Sequence, residues 1–270
     1  MSSKVVYRQV QPVSPAAGYI GGKKQLASTI IASIERIPHE TYAEAFVGMG
    51  GVFLRRRRAS KGEIINDRSG DVATFFRILQ RHYVPFMDML KWQITGRQEF
   101  ERLKASHPST LTDLERAARF LYLQRTAFGG KVAGRNFGVS PLGARFNVAK
   151  LASALDELHE RLAGVTIECL PWAEFIARYD RPGTLFYLDP PYFGSEKDYG
   201  SELFSRPEYD QMAVVLSRLK GRFILSLNDV PEVRQTFRGF KLRSVQLTYS
   251  VSRGGNQPAR ELIITSNKRG

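Results

Sequence analysis

One cysteine stands in 270 residues, Cys169, and that scarcity excludes an intrachain disulfide framework and any Cys-x-x-Cys zinc or redox motif. A reducing compartment is the expected setting. Histidine is nearly as sparse: His39, His82, His107 and His159 are scattered, with no His-Glu-x-x-His zinc helix and no Gly-x-Ser-x-Gly nucleophile elbow. No apolar run approaches the ~20 residues of a membrane-spanning helix, and residues 1–17 lack the apolar centre of a signal peptide. Internal repeats and Pro/Ser/Gly linkers are missing as well. Acidic residues are the remaining shortage. Against 40 Lys and Arg there are only 26 Asp and Glu, a net charge of +14 that predicts attraction to polyanions, nucleic acid first and a membrane surface second. With 43% hydrophobic and 24% charged residues the rest is ordinary globular composition, enough for one core and one inserted module.

Alternating periodicities give the organisation. Residues 23–36 carry Leu26, Ile30 and Ile34 at helical spacing, and 42–47 form a short apolar segment that runs into glycines. Residues 63–66 repeat the strand pattern up to Asp67, and 71–80 resume a helical stripe through Val72, Phe75, Phe76 and Leu79. From 81 to 149 the strand signal vanishes, leaving a helix opened by a Thr112/Glu115 capping box and a run rich in Gly, Arg and Asn. Helix 151–162, strand 165–170 with Cys169 as a buried thiol, and strand 184–188 follow. Ser205 and Glu208 make a second capping box, 223–227 another strand, and Val245 to Thr265 a hairpin turning at Gly254 and Gly255. The expectation is an α/β fold: a mostly parallel sheet with an antiparallel C-terminal edge hairpin, interrupted by a mainly helical insertion.

In open sheets of this kind ligands gather at the carboxyl ends of strands. Three such ends are unusual here. In Glu44-Ala-Phe46-Val-Gly48-Met-Gly50-Gly51 a strand enters a glycine turn that lets backbone approach a ligand. The third glycine of a dinucleotide fingerprint would fall at Phe53, so a pyrophosphate is unsupported, and a plain tight turn is the alternative. Asp67, about 20 residues on, stands where an acid grips a ribose, or else caps the helix near Asp71. Asp189-Pro190-Pro191-Tyr192 is the sharpest segment. Two prolines remove two N–H donors and stiffen the turn, and Asp189 adds a carboxylate. The result is an acceptor-only site suited to an amino group, with the ring of Tyr192 as a face for a planar base; the bland reading is a strand leaving the sheet. In the insertion, Arg125, Lys131, Arg135, Asn136, Arg145 and Asn147, interleaved with Phe128, Phe137 and Phe146, offer donors for phosphates and base edges. A basic surface loop without specificity is the competing reading. The run Arg55 to Arg58 is assigned to a solvated helix face that adds to the steering field.

Asp189-Pro190-Pro191-Tyr192 together with the 44–51 loop resembles the Dam-type (D12 class) adenine-N6-specific DNA methyltransferase family. Tyr19-Ile-Gly21-Gly22-Lys23 is similar to its N-terminal signature, Asn66-Asp67 to its acidic strand end, and Arg125-Thr-Ala-Phe128-Gly-Gly130 to its Arg-x-x-Phe-Asn-Gly run, all in the family's order. The resemblance implies a Rossmann-like methyltransferase sheet, with residues 1–80 and 150–270 as the two parts of the catalytic domain and 81–149 as the target-recognition module. It implies S-adenosyl-L-methionine as donor, S-adenosyl-L-homocysteine as product, and no metal. Tyr19, Lys23, Glu44, Phe46, Gly48, Gly50 and Asp67 then lie at the cofactor, and Asp189 touches both cofactor and a flipped adenine. Gly18, Ala45 and Gly129 stand where the family often has Lys, Pro and Asn. Pro171 replaces an acid that reads the cofactor adenine, leaving Trp172 to offer an apolar wall. Double-stranded DNA is the implied partner, with no membrane, in a bacterial or phage-infected cytoplasm at the nucleoid; a homodimer and a companion restriction endonuclease are compatible. A methyltransferase acting on RNA or another amino acceptor, or a non-catalytic DNA-binding protein, is the alternative. Asp189 favours adenine over the Asn expected for protein glutamine and the Ser commoner for N4-cytosine, and a mere DNA binder leaves this tetrapeptide unexplained.

Overall fold

The computed structural model describes residues 5–19, 23, 25–132, 134–139, 143–194, 204–251 and 255–267, and for 247–251 and 255–259 the backbone alone. Along it run β1 (Arg8–Gln9), α1 (Ala27–Glu35), β2 (Thr41–Glu44), β3 (Arg58–Ala59), β4 (Gly62–Asn66), α2 (Gly70–Arg81), α3 (Tyr83–Leu90), α4 (Arg97–Ala105), α5 (Asp113–Thr126), α6 (Val148–Arg161), β5 (Thr166–Glu168), α7 (Trp172–Tyr179), β6 (Thr184–Leu188), α8 (Pro207–Ser217), β7 (Arg222–Asn228), α9 (Pro231–Thr236), β8 (Lys241–Val251) and β9 (Gly255–Thr265). Seven strands form one sheet in the order β5-β4-β2-β6-β7-β9-β8. All pairs up to β7 are parallel, and β9 returns antiparallel between β7 and β8, so the expected edge hairpin is present with its second strand inward.

Side-chain alternation explains the layers. In β6, Leu185 and Tyr187 join the core beneath α1, α2 and α6, while Phe186 and Leu188 join the core beneath α7, α8 and α9. A strand buried on both faces is mostly apolar, and all five residues of β6 are buried, with Thr184 alone of them polar at its first position. The chain leaves β2 outward through β4 to β5, then comes back to lay β6 on the other side of β2. That reversal makes the carboxyl ends of β2 and β6 the switch point, with Glu44 paired beside Tyr187.

Helices α3, α4 and α5 fill the stretch without strands. They do not build a separate core: Phe86, Phe100 and Phe120 are fully buried in the same cluster as Phe75 and Phe76 of α2. Arg116 and Arg119 of α5 reach Asp71 of α2 at 2.6 and 3.7 Å, which ties the two helices at their ends. The Thr112/Glu115 capping box forms at the start of α5. The Ser205/Glu208 box forms only in part: the Glu208 carboxylate accepts from the Ser205 backbone N–H, but α8 begins at Pro207 without a side-chain cap. Two expectations need correction. Arg55 to Arg58 is not a helical face, because a single 3-10 turn ends at Arg55, Arg56 is buried against Glu63 at 2.7 Å, and Arg58 sits in β3. Cys169 is exposed, because it follows β5, an edge strand whose own residues are only partly covered. Of the expected hairpin turn, Gly254 lies outside the described residues and Gly255 opens β9.

Candidate active site

Three acids crown three adjacent strands. Glu44 ends β2, Asp67 follows β4 by one residue, and Asp189 follows β6 by one residue. Together with Tyr19, Lys23, Phe46, Gly48, Arg125, Pro190, Pro191 and Tyr192 they line one cavity of about 530 Å³. This is within the size range of small-molecule sites.

The glycine turn after β2 has a steric cause. Gly48 and Gly50 have φ of +50° and +77°, and a Cβ on Gly50 would stand 2.7 Å from the side chain of Leu54, so neither conformation nor space admits another residue. Asp67 locks this turn from the neighbouring strand: one carboxylate oxygen accepts the Gly48 N–H and the other the Ser69 N–H, both at 2.9 Å. The acid therefore serves the start of α2 and also lines the cavity. Burial pushes its pKa up to about 6, against the pull of those two N–H groups. Asn66 clamps the same end, donating to the Ala45 and Leu170 carbonyls and accepting the Leu170 N–H.

Glu44 is buried, and accepts the hydroxyl of Tyr42 at 2.7 Å from two residues back on the same face of the strand. Burial, with Asp189 nearby, pushes its carboxyl up to about 8 in spite of the Tyr42 bond. A cation entering the cavity would find there an acid ready to ionise.

The Asp-Pro-Pro-Tyr turn is held by three residues that carry no motif and by Lys23 of the N-terminal signature. Ser226 of β7 donates to Asp189 Oδ1 at 2.9 Å, and with its own proton so directed it accepts from Tyr187, 2.9 Å away. Asn228 brackets Phe193, accepting its N–H and donating to its carbonyl, while the Tyr209 hydroxyl donates to the Pro191 carbonyl at 2.8 Å. Lys23 pairs with Asp189 Oδ1 at 2.8 Å and donates to the Tyr192 hydroxyl at 2.8 Å. Burial raises the Asp189 pKa and the Lys23 ammonium opposes that rise. The signal for Ser226 was available in the sequence: it is a polar residue in a run of buried apolar strand positions.

The basic residues of the insertion divide. Arg125 lines the cavity and donates to the Ala16 and Arg145 carbonyls. Lys131 and Asn136 are exposed. Arg145 is half-buried and bonds the Ala127 carbonyl. Arg135 is turned inward, 9% exposed, donating to Gln124 and to the Lys131 carbonyl, and Asn147 accepts the Lys150 N–H as the N-cap of α6. Both therefore have partners within the fold. Gly130 seats the loop on the cavity rim: a Cβ there would stand 3.0 Å from the Gly18 backbone, and Gln124 donates to the carbonyls of both residues. Trp172 lies beside the main cavity, in a hollow of about 150 Å³ that shares Phe46 and Arg68 with it, and donates to Glu208. Ile20, Gly21 and Gly22 of the N-terminal signature lie outside the described residues.

The sequence model of the family described as "D12 class N6 adenine-specific DNA methyltransferase" matches residues 19–251. The chain belongs to this family. It is 23% identical over 278 residues to the Type II methyltransferase M1.LlaDCHI of Lactococcus lactis subsp. cremoris, covering 93% of this chain and 95% of the relative. To a DNA adenine methylase of Vibrio cholerae it is 24% identical over 262 residues, covering 88% and 89%. To the Type II methyltransferase M.CviBI of Paramecium bursaria Chlorella virus NC1A it is 20% identical over 203 residues, covering 74% and 77%. This D12-class protein is thus a DNA adenine-N6 methyltransferase, with DNA as its substrate, and no helix among its described residues is long and apolar enough to cross a membrane.

Proposed function

We propose that the cavity at the strand ends binds S-adenosylmethionine beside an adenine extruded from duplex DNA, and that Asp189 to Tyr192 presents the amino nitrogen of that base to the methyl donor. The observation that carries this reading is the convergence of Glu44, Asp67 and Asp189 with the proline turn on one cavity at the switch point. The donor set suits the cofactor: Glu44 is a buried acid for its ammonium group, Asp67 an acid for its ribose, and Phe46 an apolar wall for its adenine. Tyr19 closes over the glycine turn, its ring 3.0 Å from where a Gly48 Cβ would stand. S-adenosylmethionine supplies an electrophilic methyl group carried on a sulfonium.

The amino group of adenine is a poor nucleophile because its lone pair is delocalised into the ring. Asp189 and the Pro190 carbonyl each accept one of its hydrogens, which bends the nitrogen toward tetrahedral geometry and frees the lone pair. Ser226 holds Asp189 in that orientation from the next strand. Flipping costs a few kcal/mol, which stacking on Tyr192 and backbone contacts by exposed cations such as Lys131 offset. We assign residues 81–149 to target recognition, with Lys131, Asn136 and Arg145 toward DNA and Arg125 at the junction with the cavity. The type II designation of two relatives supports a companion restriction endonuclease.

Purified protein given methyl-labelled S-adenosylmethionine and duplex DNA is expected to place the label on adenine N6, at a motif that modification-aware sequencing of DNA from expressing cells will report. Label on cytosine, on RNA alone, or on nothing would defeat the reading.

Glu44 adds a pH signature. Its carboxyl, at about 8 in the free protein, is mostly protonated at pH 7. An ammonium group placed against it lowers that value, so binding should release a proton at pH 7 and affinity should climb as pH rises toward 8, then level off. Calorimetry in buffers of differing ionisation enthalpy measures the release. Glu44→Gln should abolish it; a proton count near zero in the parent would remove Glu44 from the ammonium site.

A further inference from the structure

Lys23 is 4% exposed, and its ammonium faces three oxygens from two segments, the Asp189–Tyr192 turn and β9. Nζ stands 2.8 Å from Asp189 Oδ1, 2.8 Å from the Tyr192 hydroxyl, and 3.7 Å from Oε2 of Glu261, which is 1% exposed on β9. The same nitrogen lies 4.3 Å from the centroid of the Tyr192 ring. An adenine bound as above needs these very features, the Asp189 carboxylate for one amino hydrogen and the Tyr192 ring for its face. Ammonium and base compete for one place.

We propose that Lys23 is a displaceable stand-in for the target amino group, and that Glu261 is the positioning residue which takes its ammonium when the base enters. The inference rests on the reading of Asp189 to Tyr192 as the amino-group acceptor. Before entry, the ammonium keeps Asp189 paired; without it the buried carboxylate would tend to pick up a proton and stop accepting. As the adenine amino group arrives at Asp189, Nζ closes its 3.7 Å separation from Glu261 to hydrogen-bond length. One ammonium stays beside the two carboxylates throughout, so its own charge keeps a partner in the low-dielectric interior. If Glu261 is absent, the same displacement strands the ammonium, and base entry becomes costly.

A duplex carrying 2-aminopurine next to the target adenine keeps the reacting amino group and reports extrusion of that adenine by the rise in emission as its stacking partner leaves. Steady-state methylation gives KM for DNA and kcat, and calorimetry gives the affinity for S-adenosylmethionine. Glu261→Gln should weaken the emission rise and increase KM for DNA roughly tenfold, an interaction of the size found between residues in direct contact, with cofactor affinity unchanged. In the Lys23→Ala background the same substitution should leave KM where Lys23→Ala alone puts it, because no ammonium is left to relocate. The double variant removes the ammonium together with the Glu261 carboxylate, so a fold lost in Glu261→Gln alone through a stranded ammonium is recovered in it. Equal KM increases with and without Lys23, or a Glu261→Gln enzyme with parental KM and emission, would overturn the exchange. A parent enzyme that does not methylate adenine would instead defeat the reading beneath it.

Discussion

Asp189→Asn should lower kcat for adenine methylation by about two to four orders of magnitude, the range for losing a positioned proton acceptor, while the protein stays folded. Asparagine preserves the volume and one carbonyl oxygen but replaces a carboxylate oxygen with an amide that donates. A donor aimed at an amino group repels it, so the nitrogen loses the pull that exposes its lone pair. The fold should survive because the ammonium of Lys23 keeps the Tyr192 hydroxyl at 2.8 Å and the Glu261 carboxylate at 3.7 Å. Asp189→Ala is the poorer test, since a void beside a buried ammonium adds a stability loss to the catalytic one. Single-turnover methyl transfer, with melting temperature and S-adenosylmethionine affinity measured on the same sample, separates chemistry from binding and folding. Parental kcat in Asp189→Asn would take the carboxylate out of the reaction.

The strand ends were legible because their chemistry is local. Asp189-Pro190-Pro191-Tyr192 fixes an acceptor turn within four residues, and Asp67 follows the glycine turn at the spacing that neighbouring parallel strands impose. Element order was readable for the same reason: β6 is an apolar run after its first residue, and α5 announces itself by its Thr112 cap. What the sequence hid is whatever depends on partners far along the chain. Arg135 and Asn147 look like groove donors beside Arg145, yet Gln124 claims the first and the start of α6 the second. Four consecutive arginines read as a solvated face until β4 brings Glu63 up to Arg56. Ser226 and Glu261 stand 37 and 72 positions after Asp189 in sequence but on β7 and β9, the first and second strands beyond β6 in the sheet. Strand order, which periodicity does not encode, is what converts them into parts of the site.

Glu63→Ala should cost the largest share of stability of any surface-distant change considered, about 3–5 kcal/mol, seen as a melting temperature lower by on the order of 10 °C. Glu63 is buried near the amino end of β4 between two guanidinium groups. Arg161 binds it in bidentate fashion at 2.7 and 3.0 Å, and Arg56 reaches it at 2.7 Å. Each cation is also stacked on a ring, Arg56 3.7 Å above Tyr42 and Arg161 4.1 Å above Phe53, so neither can turn out to water without unpacking the core. Removing the carboxylate leaves two like charges facing each other in the interior. Glu63→Gln should cost less than Glu63→Ala, because the amide oxygen still accepts one of the guanidinium bonds. The same strand carries Asn66 and then Asp67 at its far end, so this triad anchors the strand that delivers an acid to the cavity. If anchoring is its whole role, kcat per folded molecule at a permissive temperature should match the parent in both variants even as their melting temperatures fall. A melting temperature within about 2 °C of the parent for Glu63→Ala would show that the two arginines find other partners. A lost kcat with an intact melting curve would mean that charge at the base of β4 is felt at its tip.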